Sequence, residues 1–359
     1  MLKTEELVCL WFDYNSYSFA KLERFLKNFN TIADVLDKNI VKCALIDDEL
    51  VKVKEQLLDV DWVLFQKKVE EDLFANGIGV ITYISKDYPE KLKVIDEPPL
   101  VLYFRGDKTL LSKKSISIVG TRSPSEYGKL VCEKFAKELS SAGLVTVSGL
   151  AYGIDTIVAE STLDVGGKTI AVLAGGLDSI YPSSNTNLAR KVEENGLLIS
   201  EMRPGVKPAN YSFIARNRIV SALSLGTLII EAGKRSGTMA TARFAIEQSR
   251  ELFVVPGNIF SKTSEGTNNL IDEMPDTFTI SPDRILARLK IKKNVSPKSA
   301  VQVGFENNVI LSALSAGEKN FDELSDISKL SPAELSSELV KMEMFGLIKI
   351  GDDGMYYKK

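Results

Sequence analysis

Between Ile116 and Val254 the apolar residues gather into six short runs, centred near Ile118, Val147, Val172, Leu198, Ile229 and Val254, at intervals of about 24 to 31 residues. That interval is the length of one strand-plus-helix unit. The runs are rich in β-branched residues, and amphipathic stretches lie between them. Leu130, Val131, Phe135 and Leu139 make one helical face stopped by Gly143; Ser183 or Ser184 is placed to cap the helix through Leu188 and Val192 that Gly196 ends. Strands alternating with helices predict a parallel sheet covered on both faces. The fold class expected is α/β, an extended Rossmann-like, doubly wound parallel sheet.

The flanks have other periods. Residues 1–75 show helical spacing, with Leu22, Phe25, Leu26 and Phe29 on one face and Trp62, Phe65 and Val69 on another, and predict a small helical domain whose aromatic residues form its core. From Ile78, GIGVITYISKDYPEKL and EPPLVLYFRGD give two further strands and a short helix, so the central domain is set at 76–290. Residues 291–304 lack periodicity and read as a linker. In 305–359, helices at Val309–Leu314 and Phe321–Ile327, a third opened by Ser331-Pro332-Ala333-Glu334 and closed at Gly346, and a hairpin around Asp352-Asp353-Gly354 suggest a winged-helix-like domain. Its third helix carries Glu334, Glu338 and Glu343, which favours protein contact or structural support over duplex binding.

Charge alters this picture only once it is divided. The net charge of −3 splits into 13 basic against 19 acidic residues in 1–100, 6 against 10 in 305–359, and an excess of bases between. From Arg203 to Arg250 eight bases face only Glu231 and Glu247. A basic centre between acidic ends points to an anionic ligand on the central domain. The chain has no histidine, which removes the usual general base and imidazole metal ligand. Cys9, Cys43 and Cys132 lie far apart in apolar company and are expected to be buried free thiols, with no metal site. An N-terminus without a basic, apolar leader and the lack of a long apolar span lead to the expectation of a cytoplasmic protein with no membrane association.

Candidate chemistry follows the strands. KSISIVGTRSPSEYG and GLVTVSGLAYGID each run from a strand through a tight turn to a helix start, a cradle for phosphate at Gly120, Arg122, Ser148 and Gly149. The first turn lacks G-x-G-x-x-G, so a dinucleotide cofactor is not expected; Gly167-Lys168-Thr169 lacks the leading glycine of a P-loop. Lys168 is placed at the opening of the third strand, with reach toward a groove at the sheet edge. In SFIARNRIVSALSLGTLIIEAGKRSGT, the residues Arg216, Asn217 and Arg218 are read at a helix start. Ser236 is read as a cap, and Gly237 and Thr238 as phosphate donors. Tyr152, Tyr181, Tyr211, Phe213 and Phe260 adjoin these loops, and cations interleaved with rings suit single-stranded nucleic acid; Phe213 is the foremost stacking candidate. Glu231 and Asp155, the carboxylates nearest the glycine turns, are expected to orient neighbours rather than act as bases.

Taken together, IVGTRSPSEYG, SGLAYGID, TIAVLAGGLDSIYP with Asn185, FIARNRIVSALS, SGTMATARFAIEQSRELFVVPGN and SEGTNNLI, in this order, resemble the DNA-processing protein A family (DprA, also called Smf), over about residues 80–272. The resemblance implies a sterile-alpha-motif-like domain before the Rossmann core and a winged-helix-like domain after it. It implies a non-enzymatic protein without cofactor that binds and protects incoming single-stranded DNA in natural transformation and loads RecA recombinase, commonly as a homodimer. By motif, Arg122, Ser148, Gly149, Lys168, Phe213, Arg216, Asn217, Arg218, Ser236, Gly237 and Thr238 would line the DNA pocket. The chain departs from the family at Thr156–Glu160, where an Ala-His ending is usual, at Ile214 in place of proline, and at Asp272–Pro275 in place of a Gly-Ala pair. The alternative is a nucleotide-processing enzyme of the lysine-decarboxylase-like nucleoside-monophosphate glycosidases, with Glu231 as the reacting carboxylate, although the P-G-G-x-G-T-x-x-E signature is absent.

Overall fold

The computed structural model describes residues 2–28, 48–292, 309–344, 347–351 and 354–358. Phe29, Cys43, most of the expected linker, Gly346 and the first two residues of the hairpin turn lie outside them. Four helices open the chain: α1 (Thr4–Tyr14), α2 (Phe19–Leu26), α3 (Asp48–Leu58) and α4 (Trp62–Phe74). Then come β1 (Gly79–Thr82), α5 (Glu90–Lys93) and β2 (Val101–Gly106). The six apolar runs form β3 (Ser115–Val119), β4 (Val145–Ser148), β5 (Thr169–Leu173), β6 (Leu197–Ser200), β7 (Gly226–Ile229) and β8 (Glu251–Val254). Between them lie α6 (Glu126–Ser141), α7 (Ile154–Asp164), α8 (Thr186–Asn195), α9 (Asn210–Ala222) and α10 (Gly237–Glu247), and after them α11 (Glu265–Glu273) and α12 (Pro282–Arg288).

One eight-stranded sheet results, in the order β1-β2-β6-β5-β4-β3-β7-β8. The strands β3 to β8 pair in parallel, and β2 and β1 add antiparallel at the β6 edge. From β3 the chain winds outward through β4, β5 and β6, then returns to lay β7 on the other side of β3. Between β3 and β7 the winding reverses, and the turns leaving their carboxyl ends diverge there; such a switch point is where open α/β sheets bind ligands.

Two apolar layers cover the middle of the sheet, as its fully buried strands require. Ile116, Ile118 and Leu228 pack under Phe135, Leu139 and Val158 on one face, while Val147, Val172 and Ile229 pack under Ile219, Val220 and Ala242 on the other. Cys132 is buried in the first layer and Cys9 under the N-terminal helices, both as free thiols. The N-terminal helices share their core with the sheet: Leu10, Phe12 and Phe25 belong to one cluster with Tyr103, Leu173 and Leu198. Residues 1–294 accordingly make one compact unit and 295–359 another. The second unit consists of α13 (Val309–Ser315), α14 (Phe321–Ser328), α15 (Pro332–Met344), β9 (Ile348–Ile350) and β10 (Tyr356–Lys358) around Ile310, Leu324, Leu335 and Met342. Ser331 and Glu334 bond reciprocally at the start of α15, as the sequence pattern requires.

A polar latch holds α1 against the sheet. The Tyr103 hydroxyl donates to the Asp13 carboxylate (2.7 Å), and Arg203 donates to Tyr14 O (2.6 Å) at the end of the helix, where a cation also suits the dipole. Burial pushes the Asp13 carboxyl up to about 6, against the lowering by Tyr103 and Arg203. A carboxyl with a raised pKa binds its proton more tightly when folded. Its contribution therefore favours the fold below the unfolded value and is lost as pH rises through the folded one. Asp13→Asn, which keeps an acceptor for Tyr103, is expected to raise stability near neutral pH by about 1–2 kcal/mol and to leave it little changed near pH 4, as read by urea denaturation at the two pH values.

Candidate nucleic-acid interface

At the switch point three turns close on one another. The turn after β4 lies directly on the turn after β3: Gly153 has φ +75°, and a Cβ there would stand 2.5 Å from Thr121 O and 2.6 Å from Arg122 O. The Ile154 N–H donates to Thr121 O (3.2 Å), and the Thr121 N–H donates to Glu231 O (2.8 Å) beyond β7. Asn185 braces the same corner from the turn before α8, donating to Leu150 O (3.0 Å) and to the Thr156 hydroxyl (2.9 Å).

A cavity of about 520 Å³ opens above these turns. Its floor is Gly120 to Arg122 with Ala151 and Asp155; one wall is the first two turns of α9, with Asn210, Phe213, Arg216 and Asn217, and the other is the start of α10, with Ser236, Gly237, Thr238 and Thr241. The exposed Arg122 guanidinium lies 5.1 Å from the centroid of the Phe213 ring, and Tyr181 packs against that ring at 5.4 Å. Among the described residues no ion pair engages Arg122. The N-terminus of α10 presents unpaired N–H groups and the positive end of its dipole to the same space.

Beneath the surface, Arg216 is 5% exposed and donates to Val172 O (2.5 Å). Among the described residues its Nε, like the Ser236 hydroxyl, has no hydrogen-bond partner, which leaves two buried donors for whatever enters. Burial lowers the Arg216 pKa, and Asp155 offsets only part of that lowering. Asp155 accepts from the N–H groups of Gly149 (3.1 Å) and Ala151 (3.4 Å); burial raises its pKa and Arg216 lowers it. The two opposite charges thus offset part of each other's burial where α9 meets the β4 turn. Gly149 permits it, because a Cβ there would stand 1.6 Å from Arg216 Nη1. Gly149→Ala is expected to expel the guanidinium and destabilise the fold by about 2–4 kcal/mol, visible as a lowered urea midpoint at unchanged m-value.

The structure thus gathers Gly120, Arg122, Phe213, Arg216, Asn217, Ser236, Gly237 and Thr238 around one space, with Gly149 beneath Arg216 and Ser148 buried at the end of β4. Four sequence readings change. Arg216 to Arg218 are not at a helix start: α9 begins at Asn210, where the Ser212 hydroxyl accepts from the Ala209 N–H (2.9 Å), so the arginines fall on its second and third turns. Helical rotation then turns Arg218 away from Arg216, and it pairs with Glu201 at 2.5 Å outside the cavity. Lys168 precedes β5 at its amino end, while the cavity lies at the carboxyl ends; a five-residue strand, about 17 Å, separates them. Ser236 occupies the N-cap of α10 without a side-chain cap bond. Likewise Ser183 and Ser184 form a short 3₁₀ turn with Asn185 instead of capping α8 with their side chains.

Glu231 is 2% exposed and outside the cavity. One oxygen accepts the Ser125 N–H (2.9 Å), the other the hydroxyls of Ser125 (2.5 Å) and Thr263 (3.2 Å), so this carboxylate ties loops together as an orienting group. Asn210 and Thr241 line the cavity without having been singled out in the sequence. Both are legible in hindsight, Asn210 three residues before Phe213 and Thr241 three after Thr238, on the same helical faces.

A sequence model of DNA recombination-mediator protein A matches residues 79–290. The chain belongs to this family. The resemblance carried by the six motifs is borne out, and the matched residues contain the whole cavity. The DNA processing protein DprA of Bacillus subtilis is 45% identical over 198 residues, which span 55% of this chain and 67% of that protein. Among solved structures, DNA processing protein A from Streptococcus pneumoniae superposes with a TM-score of 0.61 at 32% identity, covering 74% of this chain and 96% of that one. DNA processing protein A from Helicobacter pylori, described for its single-stranded DNA binding mode, superposes with a TM-score of 0.54 at 34% identity, over 59% of this chain and 95% of that one. The family fold is thus the extended, mostly parallel sheet described above. Among the described residues no helix is long and apolar enough to cross a membrane.

Proposed function

We propose that this chain binds single-stranded DNA in the cavity between β3 and β7, protects it, and passes it to RecA recombinase during transformation and recombination, acting in the cytoplasm as a homodimer. The observation that carries the DNA-binding part is the stack of Arg122 on Phe213 beside the open N-terminus of α10. A phosphate meets the guanidinium and the helix N–H groups, the ring takes a base or sugar, and the buried groups Arg216 Nε and Ser236 Oγ donate to the remaining oxygens. The single-stranded DNA bound by the Helicobacter pylori relative supports the same ligand here. The same geometry favours a binding role over a catalytic one: Glu231 braces loops through Ser125 and Thr263, and Asp155 accepts the Gly149 and Ala151 N–H groups.

The direct test is a fluorescence-anisotropy titration against labelled poly-dT and a matched duplex over a salt series. Preference for the single strand and a negative slope of log K against log salt are expected. Absence of single-strand binding at low salt overturns the reading. RecA loading is tested separately by following RecA filament growth on strand coated with single-strand-binding protein, with and without this chain.

A further inference from the structure

The loop from Pro256 to Ser264, between β8 and α11, carries the most exposed large apolar pair of the described Rossmann unit: Ile259 is 80% and Phe260 90% exposed. Such exposure is not a sign of a loose loop. The Gly257 N–H donates to Asn268 Oδ1 (3.0 Å), and Asn268 returns a bond to Gly257 O (3.1 Å). Asn258 Oδ1 accepts the Phe260 N–H itself (2.9 Å), and Thr263 is tied to Glu231 (3.2 Å). The backbone is held while the ring is offered to solvent, which costs apolar hydration and marks a surface built for a partner.

The neighbours specify the partner. Lys262 O lies 3.3 Å from where a Cβ of Gly233 would be, so this loop abuts the β7–α10 connection that runs Gly233, Lys234, Arg235 and then Ser236 into the cavity wall. Lys234, Arg235 and Lys262 are exposed, and no ion pair among the described residues engages them. A continuous strip therefore leads from the cavity over two cations to an aromatic ring flanked by a third. We propose that Phe260 is a second base-stacking platform, which takes a nucleotide of the strand after it leaves the cavity across Lys234 and Arg235. The inference rests on the single-strand reading above and extends it by one site. Glu231 gains a role in it, because its two oxygens join the turn beneath the cavity to the loop that presents Phe260.

The test compares thymidylates of about four and about 16 nucleotides, lengths that bracket a cavity-only site and an extended track. With the full chain, Phe260→Ala and Phe260→Leu are each expected to weaken the longer strand about tenfold and leave the shorter one unchanged, while Phe260→Tyr keeps both affinities. In Phe260→Trp, the longer strand is expected to quench the exposed indole emission and the shorter one not to. Wild-type affinity of Phe260→Ala for both lengths overturns the platform while leaving the cavity reading intact. So does a fall in self-association by Phe260→Ala in sedimentation without a length-dependent loss of DNA, which assigns the ring to contact between copies. Failure of the wild-type protein to bind either strand overturns the cavity reading, and this inference with it.

Discussion

Arg216→Ala is expected to destabilise the fold by about 3–5 kcal/mol, because it strands a buried carboxylate. Asp155 is buried at the cavity floor, and the positive charge of Arg216 offsets part of its burial. Without that charge the Asp155 pKa rises further above its ordinary value, and the folded state takes up a proton the unfolded chain does not hold. The deficit is then smallest at low pH and grows as pH rises through the folded pKa. Urea denaturation at about pH 5 and about pH 8 reads this dependence. Adding Asp155→Asn to Arg216→Ala removes the charge, and the double variant is expected to recover much of the stability and lose the extra pH dependence. If the single variant is equally destabilised at both pH values, the loss lies in packing and the charge argument is wrong.

For Arg122→Ala the expected effect is on binding, with the fold untouched. The guanidinium is exposed and, among the described residues, rests on the Phe213 ring, so the melting temperature should stay within a degree or so of the wild type. Removing one phosphate contact from a single strand flattens the slope of log K against log salt by about 0.7 and weakens binding about tenfold at low salt. Phe213→Ala should weaken binding to a similar extent while leaving the slope unchanged, since stacking releases no counterions. Because the two groups touch, the double variant should lose less than the product of the single losses. Additive losses would show that cation and ring act on separate nucleotides.

The sheet was readable because its strands are short apolar runs between glycines, and burial on both faces leaves no other use for them. The sites were readable only in part. Gly120 and Gly237 stand at a strand end and a helix start, and Arg122 in the short turn after β3, where sequence order and spatial position coincide. Arg218 and Lys168 lie outside the cavity for the opposite reason: each is next to a cavity residue or a strand in sequence, yet a helix turns successive side chains by 100° and a strand separates its ends by its full length. The start of α9 lies six residues before Arg216, because Asn210-Tyr211-Ser212, a stretch without an apolar period, has its first turn closed by Ser212. The sequence also marks a domain boundary near residue 75, but the buried contacts of Leu10 and Phe12 with Tyr103 and Leu198 pass straight through it. Amphipathic spacing says which face of a helix is buried and nothing about whose surface covers it.

Leu150 has φ +56°, a left-handed conformation that costs a branched side chain about 1–2 kcal/mol. It is held there by full burial of the side chain, by Asn185 on its carbonyl, and by Asp155 on the N–H groups to either side. That cost is met during folding, so the turn beneath the cavity has little left to arrange when a strand arrives. On the proposed binding mode the entropy lost on association then falls on the nucleic acid, whose floppy backbone must take the shape of a turn already set.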